Sequence, residues 1–209
     1  MIGIVDYERG NLHSVCKALE KLGYRAEILR EPAAAAAARG LILPGVGAFA
    51  DAMSALAAKG WIGPLLDFAR SGRPFFGICL GMQILFEKGE EHGEHAGLSL
   101  LPGRVTRFAA PLKTPHMGWN NLRVLKENPL FTGVPQDSFF YFVHSYYAAP
   151  ADDDCRAGVC VYGTEFAALV GRDNVWGAQF HPEKSGRWGL RVLDNFGKWV
   201  EGFAPVPGY

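Results

Sequence analysis

One cysteine at the centre of a glycine-flanked turn carries the strongest chemical signal in the sequence. Gly77-Ile78-Cys79-Leu80-Gly81 follows an apolar run at residues 74–78 and precedes a helix-like segment at residues 82–87. This pattern predicts a buried strand, a sharp turn with Cys79 at its apex, and a helix. The helix dipole and nearby backbone N–H groups would favour a thiolate there. The same residues also fit a small buried cysteine packed between two glycines.

A nucleophilic thiolate needs a base, and the base usually needs an acceptor that orients it. His181 follows an apolar run at residues 175–180 and precedes Pro182, which favours extended backbone at His181. Side chains two residues apart in an extended segment lie on the same side, so Glu183 could hold the far ring nitrogen of His181. The acid of a Ser-His-Asp triad does the same. Taken alone, the pattern also fits a histidine at a strand end beside an exposed glutamate.

Backbone N–H groups at two places could bind an oxyanion. The N–H of Leu80 directly follows the candidate nucleophile. The segment Gly45-Val46-Gly47 follows a predicted strand, and its glycines would let the backbone approach a substrate closely. A simple tight turn after the strand would explain that segment equally well.

The remaining histidines carry weaker signals. His144 is the alternative base, but no acidic residue lies near it in the sequence. His92 and His95 lie among glutamates in a polar loop at residues 89–97 and suggest a metal site. Glycine-flanked polar loops of this kind are more often simply solvated. We therefore expect no metal, and the sequence indicates no cofactor.

The overall composition is typical of a globular enzyme. The 209 residues carry equal numbers of acidic and basic side chains, which argues against a nucleic-acid or membrane-surface binder. No apolar stretch approaches the roughly 18 residues of a membrane span. The four cysteines form no Cys-x-x-Cys pair, which argues against a zinc site and a disulfide framework. The cytoplasm is the expected compartment.

Strands and helices alternate in the first part of the chain. Strands are predicted at residues 2–6, 24–29, 41–44 and 74–78, and helices at residues 12–22, 33–38 and 50–70. This order is typical of an open parallel sheet with helices on both faces. Ligand sites in such sheets form at the carboxyl ends of the strands, where both the Gly45–Gly47 segment and Cys79 are expected.

After Lys88 the sequence changes to short β-like runs. They are predicted at residues 104–108, 122–125, 139–144, 159–162, 166–170 and 175–180, before a last helix at residues 190–200. No Pro- or Ser-rich linker separates them from the first part. We therefore predict one domain over residues 1–209. Its fold class is an α/β open mixed sheet, with a parallel core and an antiparallel extension.

Three motifs taken together resemble the class I (triad) glutamine amidotransferases, which have a flavodoxin-like fold. They lie at residues 44–47, 77–83 and 179–183. The resemblance implies Cys79 as nucleophile, His181 as general base and acid, and Glu183 as the group that orients His181. It also implies that Gln83 and the backbone of Ser145 and Tyr146 hold L-glutamine. The remaining expected substrate contacts are Gly45, Gly47 and Leu80.

Further segments are similar to one subfamily, the glutaminase subunits of imidazole glycerol phosphate synthase in histidine biosynthesis. They lie at residues 6–12, 115–120, 141–146 and 182–185. That resemblance implies a separate (β/α)₈ cyclase subunit, which receives ammonia through a tunnel and forms imidazole glycerol phosphate and AICAR. Trp119 and Lys184 match positions near the interface with the cyclase. Glu8 departs from the family, which more often has glycine there, and this affects only the expected shape of the loop.

Three alternatives remain open at this point. The chain could serve another synthase, for example in surface-polysaccharide sugar amidation. It could be a catalytically silent scaffold, although the complete Cys/His/Glu set argues against that, or a cysteine hydrolase of other amides. Because 209 residues leave no room for a synthase domain, a partner is expected. We also expect the isolated chain to be a poor glutaminase that its partner activates.

Overall fold

The computed structural model describes residues 1–203, which form thirteen strands and five α-helices. The strands are β1 (Ile2–Val5), β2 (Ala26–Leu29), β3 (Gly40–Gly45), β4 (Phe75–Cys79), β5 (Phe86–Gly89), β6 (His95–Ala96), β7 (Leu101–Arg107), β8 (His116–Val124), β9 (Ser138–His144), β10 (Tyr146–Pro150), β11 (Arg156–Tyr162), β12 (Thr164–Arg172) and β13 (Val175–Ala178). The helices are α1 (Leu12–Lys21), α2 (Phe49–Ala58), α3 (Ile62–Arg70), α4 (Leu80–Gln83) and α5 (Gly186–Gly202). The predicted domain ran to residue 209, and its residues 204–209 lie outside the described part.

The strands form a mixed sheet in the order β2-β1-β3-β4-β13-β12-β10-β7-β5-β6. The first five are parallel to one another, and β12, β10 and β7 then pair antiparallel. A branch leaves β12 through β11 to β8 and β9, also antiparallel. The predicted fold class, a parallel core with an antiparallel extension, is confirmed.

Helices cover both faces of the parallel core. Leu41 and Leu43 of β3 belong to one hydrophobic cluster with the buried residues of α2 and α3, whereas Ile42 belongs to a second cluster with those of α1 and α5. Consecutive side chains of a strand point to opposite faces, so a strand covered on both faces must be apolar throughout. Each fully buried side chain of this size contributes about 1.5–3 kcal/mol. The continuous apolar runs therefore mark the centre of the sheet.

The helix after Cys79 is shorter than predicted, which corrects the expectation of a helix over residues 82–87. It covers only Leu80–Gln83, and the chain then enters β5 at Phe86. Phe86 is fully buried where β5 pairs with β7. A short apolar run fits a buried helix or a buried strand equally well, and pairing with a distant strand decided between them.

The antiparallel part differs from the prediction in extent. The strand expected at residues 122–125 is the end of a longer strand, β8, which begins at His116. The strands β6 and β10 were not anticipated. The alanine-rich segment forms a 3₁₀ helix at Pro32–Ala37, close to the predicted short helix. Within residues 1–203, no helix combines the length and the apolar character needed to cross a membrane.

Candidate active site

Cys79 lies at the junction between β4 and α4, in a backbone conformation that is rare for a side chain of its kind. Its φ is 56°, in the left-handed region, which costs a non-glycine residue about 1–3 kcal/mol. The flanking glycines let strand and helix touch. A Cβ on Gly77 would lie 2.6 Å from the carbonyl oxygen of Gly81, and one on Gly81 would overlap that of Leu43. The predicted sharp turn with Cys79 at its apex is therefore present.

His181 and Glu183 lie just beyond the end of β13 and form a buried pair. His181 is extended, with φ −98° and ψ 99°, and Pro182 begins a short 3₁₀ turn that includes Glu183. Nδ1 of His181 lies 3.0 Å from Oε1 of Glu183, and the two side chains are 3% and 1% exposed. Asn11 donates a second hydrogen bond to the same carboxylate oxygen at 3.3 Å. The carboxylate therefore fixes the orientation of the His181 ring through Nδ1, and Nε2 is the nitrogen that remains for chemistry.

The second nitrogen, Nε2, belongs to a ring that shares a cavity with Cys79. Nε2 itself is buried and has no hydrogen-bond partner within residues 1–203. Burial by itself would lower the pKa of His181. The hydrogen bond to Glu183, together with the charges of Cys79 and Glu183, outweighs burial and raises that pKa to about 10. A cysteine and an imidazolium that line the same cavity fit the pattern of a thiolate nucleophile and its proton carrier.

Both ring nitrogens of His144, the alternative base, have hydrogen-bond partners. Its Nδ1 lies 2.8 Å from the carbonyl oxygen of Tyr146, and its Nε2 lies 3.0 Å from Nδ1 of His116. Burial lowers the pKa of His144 to about 3 and that of His116 to about 4. Because both nitrogens of His144 are engaged and the ring stays neutral, His144 is a poor candidate for the base.

A cavity of about 270 Å³ opens in front of the candidate nucleophile. Cys79 and His181 line it together with the predicted substrate contacts Gly47, Leu80, Gln83, Ser145 and Tyr146. A larger groove of about 790 Å³ lies at residues 124–136, but its lining includes neither a thiol nor a histidine. The smaller cavity is the candidate active site.

Gly45 is the predicted contact that does not line this cavity. It is buried at the end of β3, where it pairs with Cys79. A Cβ there would lie 2.5 Å from the Tyr7 hydroxyl and 2.9 Å from the N of Gly81. The following residues, Val46 and Gly47, reach the cavity instead. Gly45 therefore allows the close approach of β3 to the nucleophile turn.

The sequence matches a known family over most of its length. Residues 3–198 match the family described as glutamine amidotransferase class-I. The chain belongs to this family. The fold agrees, since a glutamine amidotransferase crystal structure superposes with a TM-score of 0.74 at 20% identity, covering 96% of this chain and 98% of the other. PurLQS from Thermotoga maritima gives 0.75 at 20% identity, with coverages of 93% and 96%.

Closer relatives carry a more specific name. The imidazole glycerol phosphate synthase subunit HisH of Desulfitobacterium hafniense (strain DSM 10664 / DCB-2) is 64% identical over 209 residues, covering 100% of this chain and 99% of the relative. The protein of that name from Moorella thermoacetica is 53% identical over 95% of both chains. The recognition of a class I glutamine amidotransferase from its motifs is thereby confirmed.

The structure places two further residues, Glu91 and Gln179, at the candidate active site, and neither of them was predicted from the sequence. Glu91 lines the cavity, and its Oε2 accepts a hydrogen bond at 2.8 Å from the N–H of Phe49, at the start of α2. Gln179 is fully buried, and its Nε2 lies 3.7 Å from the Cys79 sulfur. Glu91 belongs to the polar loop at residues 89–97, which was assigned no role, and Gln179 is the first residue of the motif at residues 179–183, where it was assigned none. Their placement depends on contacts distant in sequence.

Trp119 and Lys184, the predicted interface residues, lie on one exposed surface. Trp119 is 56% exposed on β8 and packs edge-on against Tyr141 of β9, with ring centroids 6.1 Å apart. Nζ of Lys184 lies 6.0 Å from the centre of the same Tyr141 ring. Met117 and Phe139, 62% and 56% exposed, belong to the same two strands. We call these five residues the hairpin face.

The histidines of the polar loop form no metal site in the structure. Within residues 1–203, no group of three or more His, Cys, Asp or Glu side chains is arranged to hold a metal ion. His95 instead lies 3.4 Å from the carbonyl oxygen of His92, and Glu94 pairs with Lys88 at 2.7 Å. These contacts are those of an ordinary solvated loop.

Proposed function

We propose that the chain is the glutaminase subunit of an imidazole glycerol phosphate synthase and hydrolyses the side-chain amide of L-glutamine to glutamate and ammonia. The observation that carries this proposal is the 64% identity with a protein of that name over essentially both full lengths. Cys79 and His181 line one cavity, and Glu183 holds the far nitrogen of His181, so these three residues would supply the chemistry of glutamine hydrolysis.

The proposed reaction proceeds in two halves. The Cys79 thiolate attacks the amide carbon of glutamine, and His181, charged through its raised pKa, gives a proton to the departing ammonia. The product is a glutamyl thioester on Cys79. The now neutral His181 then takes a proton from water, which attacks the thioester and releases glutamate. Glu183 keeps Nδ1 of His181 protonated in both halves, so that Nε2 carries the transferred proton.

The cavity offers partners for each polar group of glutamine. The first N–H groups of a helix have no partner within the helix, so that of Leu80 is free to bind the oxyanion, with the backbone of Val46 and Gly47 across the cavity. Glu91 is the one carboxylate among the described lining residues, and it suits the α-ammonium group of the substrate. Gln83 and the Ser145–Tyr146 backbone are left for the remaining polar groups.

We propose that the ammonia acceptor binds to a partner protein, a (β/α)₈ cyclase. The hairpin face, centred on the exposed Trp119, is the proposed contact surface. Large exposed aromatic and methionine side chains on two adjacent strands are typical of protein interfaces. The cytoplasm is the proposed compartment, in agreement with four free thiols at Cys16, Cys79, Cys155 and Cys160. We propose no role for nucleic acid, a membrane or a cofactor.

The direct test combines the chain with a cyclase subunit of the histidine pathway. We expect slow glutamine hydrolysis by the chain alone and stimulation of at least tenfold when the cyclase and its nucleotide substrate are present. Cys79→Ala should abolish turnover and still copurify with the cyclase. Cys16→Ala, which changes a thiol on α1, is the matched control and should retain activity. Absence of stimulation, or residual turnover in Cys79→Ala, would contradict the proposal.

A further inference from the structure

A continuous series of buried polar groups connects β8 with the nucleophile. His116 and His144 face each other across β8 and β9, with Nδ1 of the first 3.0 Å from Nε2 of the second. Nδ1 of His144 lies 2.8 Å from the carbonyl oxygen of Tyr146, which also accepts from Nε2 of Gln83 at 2.9 Å. Gln83 donates to Gln179 at 3.0 Å.

The series ends on the sulfur of Cys79. Nε2 of Gln179 lies 3.7 Å from that sulfur, within range of an N–H···S hydrogen bond. The carbonyl oxygen of Val143 also lies 4.0 Å from the sulfur. Gln179 thus supplies an N–H donor to the atom that would become the nucleophile.

The Tyr146 carbonyl determines which atom donates in each hydrogen bond of the two histidines. The carbonyl oxygen of Tyr146 can only accept, so Nδ1 of His144 must carry a hydrogen. In a neutral ring Nε2 of His144 is then an acceptor, and Nδ1 of His116 must donate to it. The remaining nitrogen of His116 accepts in turn from the side-chain amide of Asn120, at 3.3 Å. The histidine arm therefore has one tautomer only.

The glutamine arm is determined in the same way. Because the carbonyl of Tyr146 can only accept, Gln83 must present its amide nitrogen there, and its second hydrogen goes to Oε1 of Gln179. That contact places the oxygen of Gln179 against Gln83 and leaves its nitrogen for Cys79. Both arms thus meet at one carbonyl oxygen, whose two lone pairs are both used.

We propose that Gln179 donates a hydrogen bond that stabilises the Cys79 thiolate, and that His116 and His144 are positioning residues that hold Gln179 in place through the Tyr146 carbonyl and Gln83. A hydrogen bond from an amide N–H favours the charged form of its acceptor. Apolar side chains would fill the core at these three positions equally well, so the presence of polar ones needs another explanation. Gln179 is fully buried and the two histidines are 4% and 6% exposed, and burying polar side chains is unfavourable unless each is paired.

This inference rests on Cys79 being the nucleophile of the proposed function, but its test does not need glutamine. The rate of iodoacetamide alkylation of Cys79 in the whole chain, followed by mass spectrometry of the Cys79 peptide, reports the fraction of thiolate. Gln179→Met removes the N–H donor at similar volume, and we expect roughly tenfold slower alkylation at pH 7. Gln179→Glu keeps the acceptor for Gln83 and replaces the donor with an anion, so its rate should fall further.

The positioning role is tested at the far end of the series. His116→Phe leaves the residues around Cys79 unchanged, and we expect alkylation at pH 7 to slow by about threefold. Asn195→Leu is the matched control, because Asn195 is an equally buried amide that donates to two carbonyl groups, of Leu130 and Thr132, outside the series. It should leave the rate unchanged. Urea midpoints identify any variant that does not fold.

Several outcomes would overturn the inference. A wild-type rate in both Gln179 variants would exclude the hydrogen bond to the sulfur as a source of thiolate. Equal slowing in His116→Phe and Asn195→Leu would indicate general loosening of the fold. A rate defect that is as large at pH 10 as at pH 7 would indicate changed access to Cys79. Failure of the proposed function is distinct, since it would appear as glutamine turnover that survives Cys79→Ala.

Discussion

The parallel and antiparallel parts of the sheet contribute to the site in different ways. The parallel strands β3, β4 and β13 end together and place the Val46–Gly47 segment, Cys79 and His181 at one edge. The antiparallel strands β9 and β10 supply the opposite wall, with His144, Ser145 and Tyr146. The first set contains the groups that would break and form bonds, and the second contains groups that would hold the substrate and the partner.

Buried histidines show this contrast most directly. In the parallel part the pKa of His181 is raised, despite burial, by Cys79 and Glu183. In the antiparallel part burial lowers the pKa values of His144 and His116, because their neighbours are a carbonyl group, an amide and each other. A buried ring with an acidic partner keeps its proton, and one with neutral partners loses it. Five perturbations test this division, and the first four run from the largest expected effect to the smallest.

The largest effect is expected in the parallel part, at Glu183, the proposed orienting acid of His181. Glu183→Gln keeps the shape of the side chain but removes the charge that supports the imidazolium. We expect glutamine turnover in the presence of the cyclase to fall by about 10²- to 10⁴-fold, with a small change in KM. Glu127→Gln, on an exposed loop, is the control and should retain turnover. A loss below fivefold in Glu183→Gln would show that His181 needs no acid.

The nucleophile turn should be intolerant of a single methyl group. A Cβ at Gly81 would overlap the carbonyl oxygen of Leu43, which is backbone and has little freedom to move. We expect Gly81→Ala to lower the free energy of unfolding by about 2–4 kcal/mol, measured by urea denaturation. Gly63→Ala is the matched control, because a Cβ there meets no atom within 4 Å and α3 favours alanine. Equal stability of the two variants would mean that β3 and α4 can move apart.

In the antiparallel part, loss of the central aromatic side chain should affect binding and leave the fold intact. Trp119→Ala removes a 56% exposed side chain and should weaken binding of the proposed cyclase by roughly tenfold to a hundredfold. Its urea midpoint should stay close to that of the unaltered chain. Leu125→Ala, also an exposed apolar side chain at 42%, should bind as the unaltered chain does. Isothermal titration calorimetry measures the affinity of each variant for the cyclase. If Trp119→Ala binds as tightly as the unaltered chain, the hairpin face is not the contact surface.

The smallest effect concerns pH. His116 and His144 have lowered pKa values in the folded chain, so the stability linked to them is complete above about pH 6.5 and is lost as the pH falls toward 4. Between pH 7 and pH 5, His116→Phe should lose about 2 kcal/mol less unfolding free energy than the unaltered chain. Urea denaturation at both pH values measures this difference, and identical losses would contradict it.

His181 should behave in the opposite way. Because its pKa is raised to about 10, the stability that it contributes is complete below pH 6.5 and is lost as the pH rises toward 10. The unaltered chain should therefore lose more unfolding free energy than His181→Phe between pH 8 and pH 10. The same urea series extends to this range.

Local features of the site could be predicted from the sequence because neighbours in the chain decide them. Gly77, Cys79 and Gly81 determine the turn by the absence of side chains, and the His181–Glu183 spacing brings carboxylate and ring together. The helix predicted after Cys79 was wrong beyond Gln83, because pairing of β5 with β7 decides the conformation of Phe86. The roles of Gly45 and Glu91 depended on contacts with distant segments, and no local pattern reports those.

The amino-acid sequence by itself determined the fold class, through apolar periodicity, and the family, through the resemblance of its short motifs; it also singled out Cys79, His181 and Glu183 as the candidate triad. Only the tertiary structure decided what surrounds the thiol. The register of β8 against β9 placed His116 beside His144, and the fold brought Gln83 and Gln179 together between the Tyr146 carbonyl and the Cys79 sulfur. Those contacts join residues far apart in the chain, and burial forces each polar group among them to find its partner.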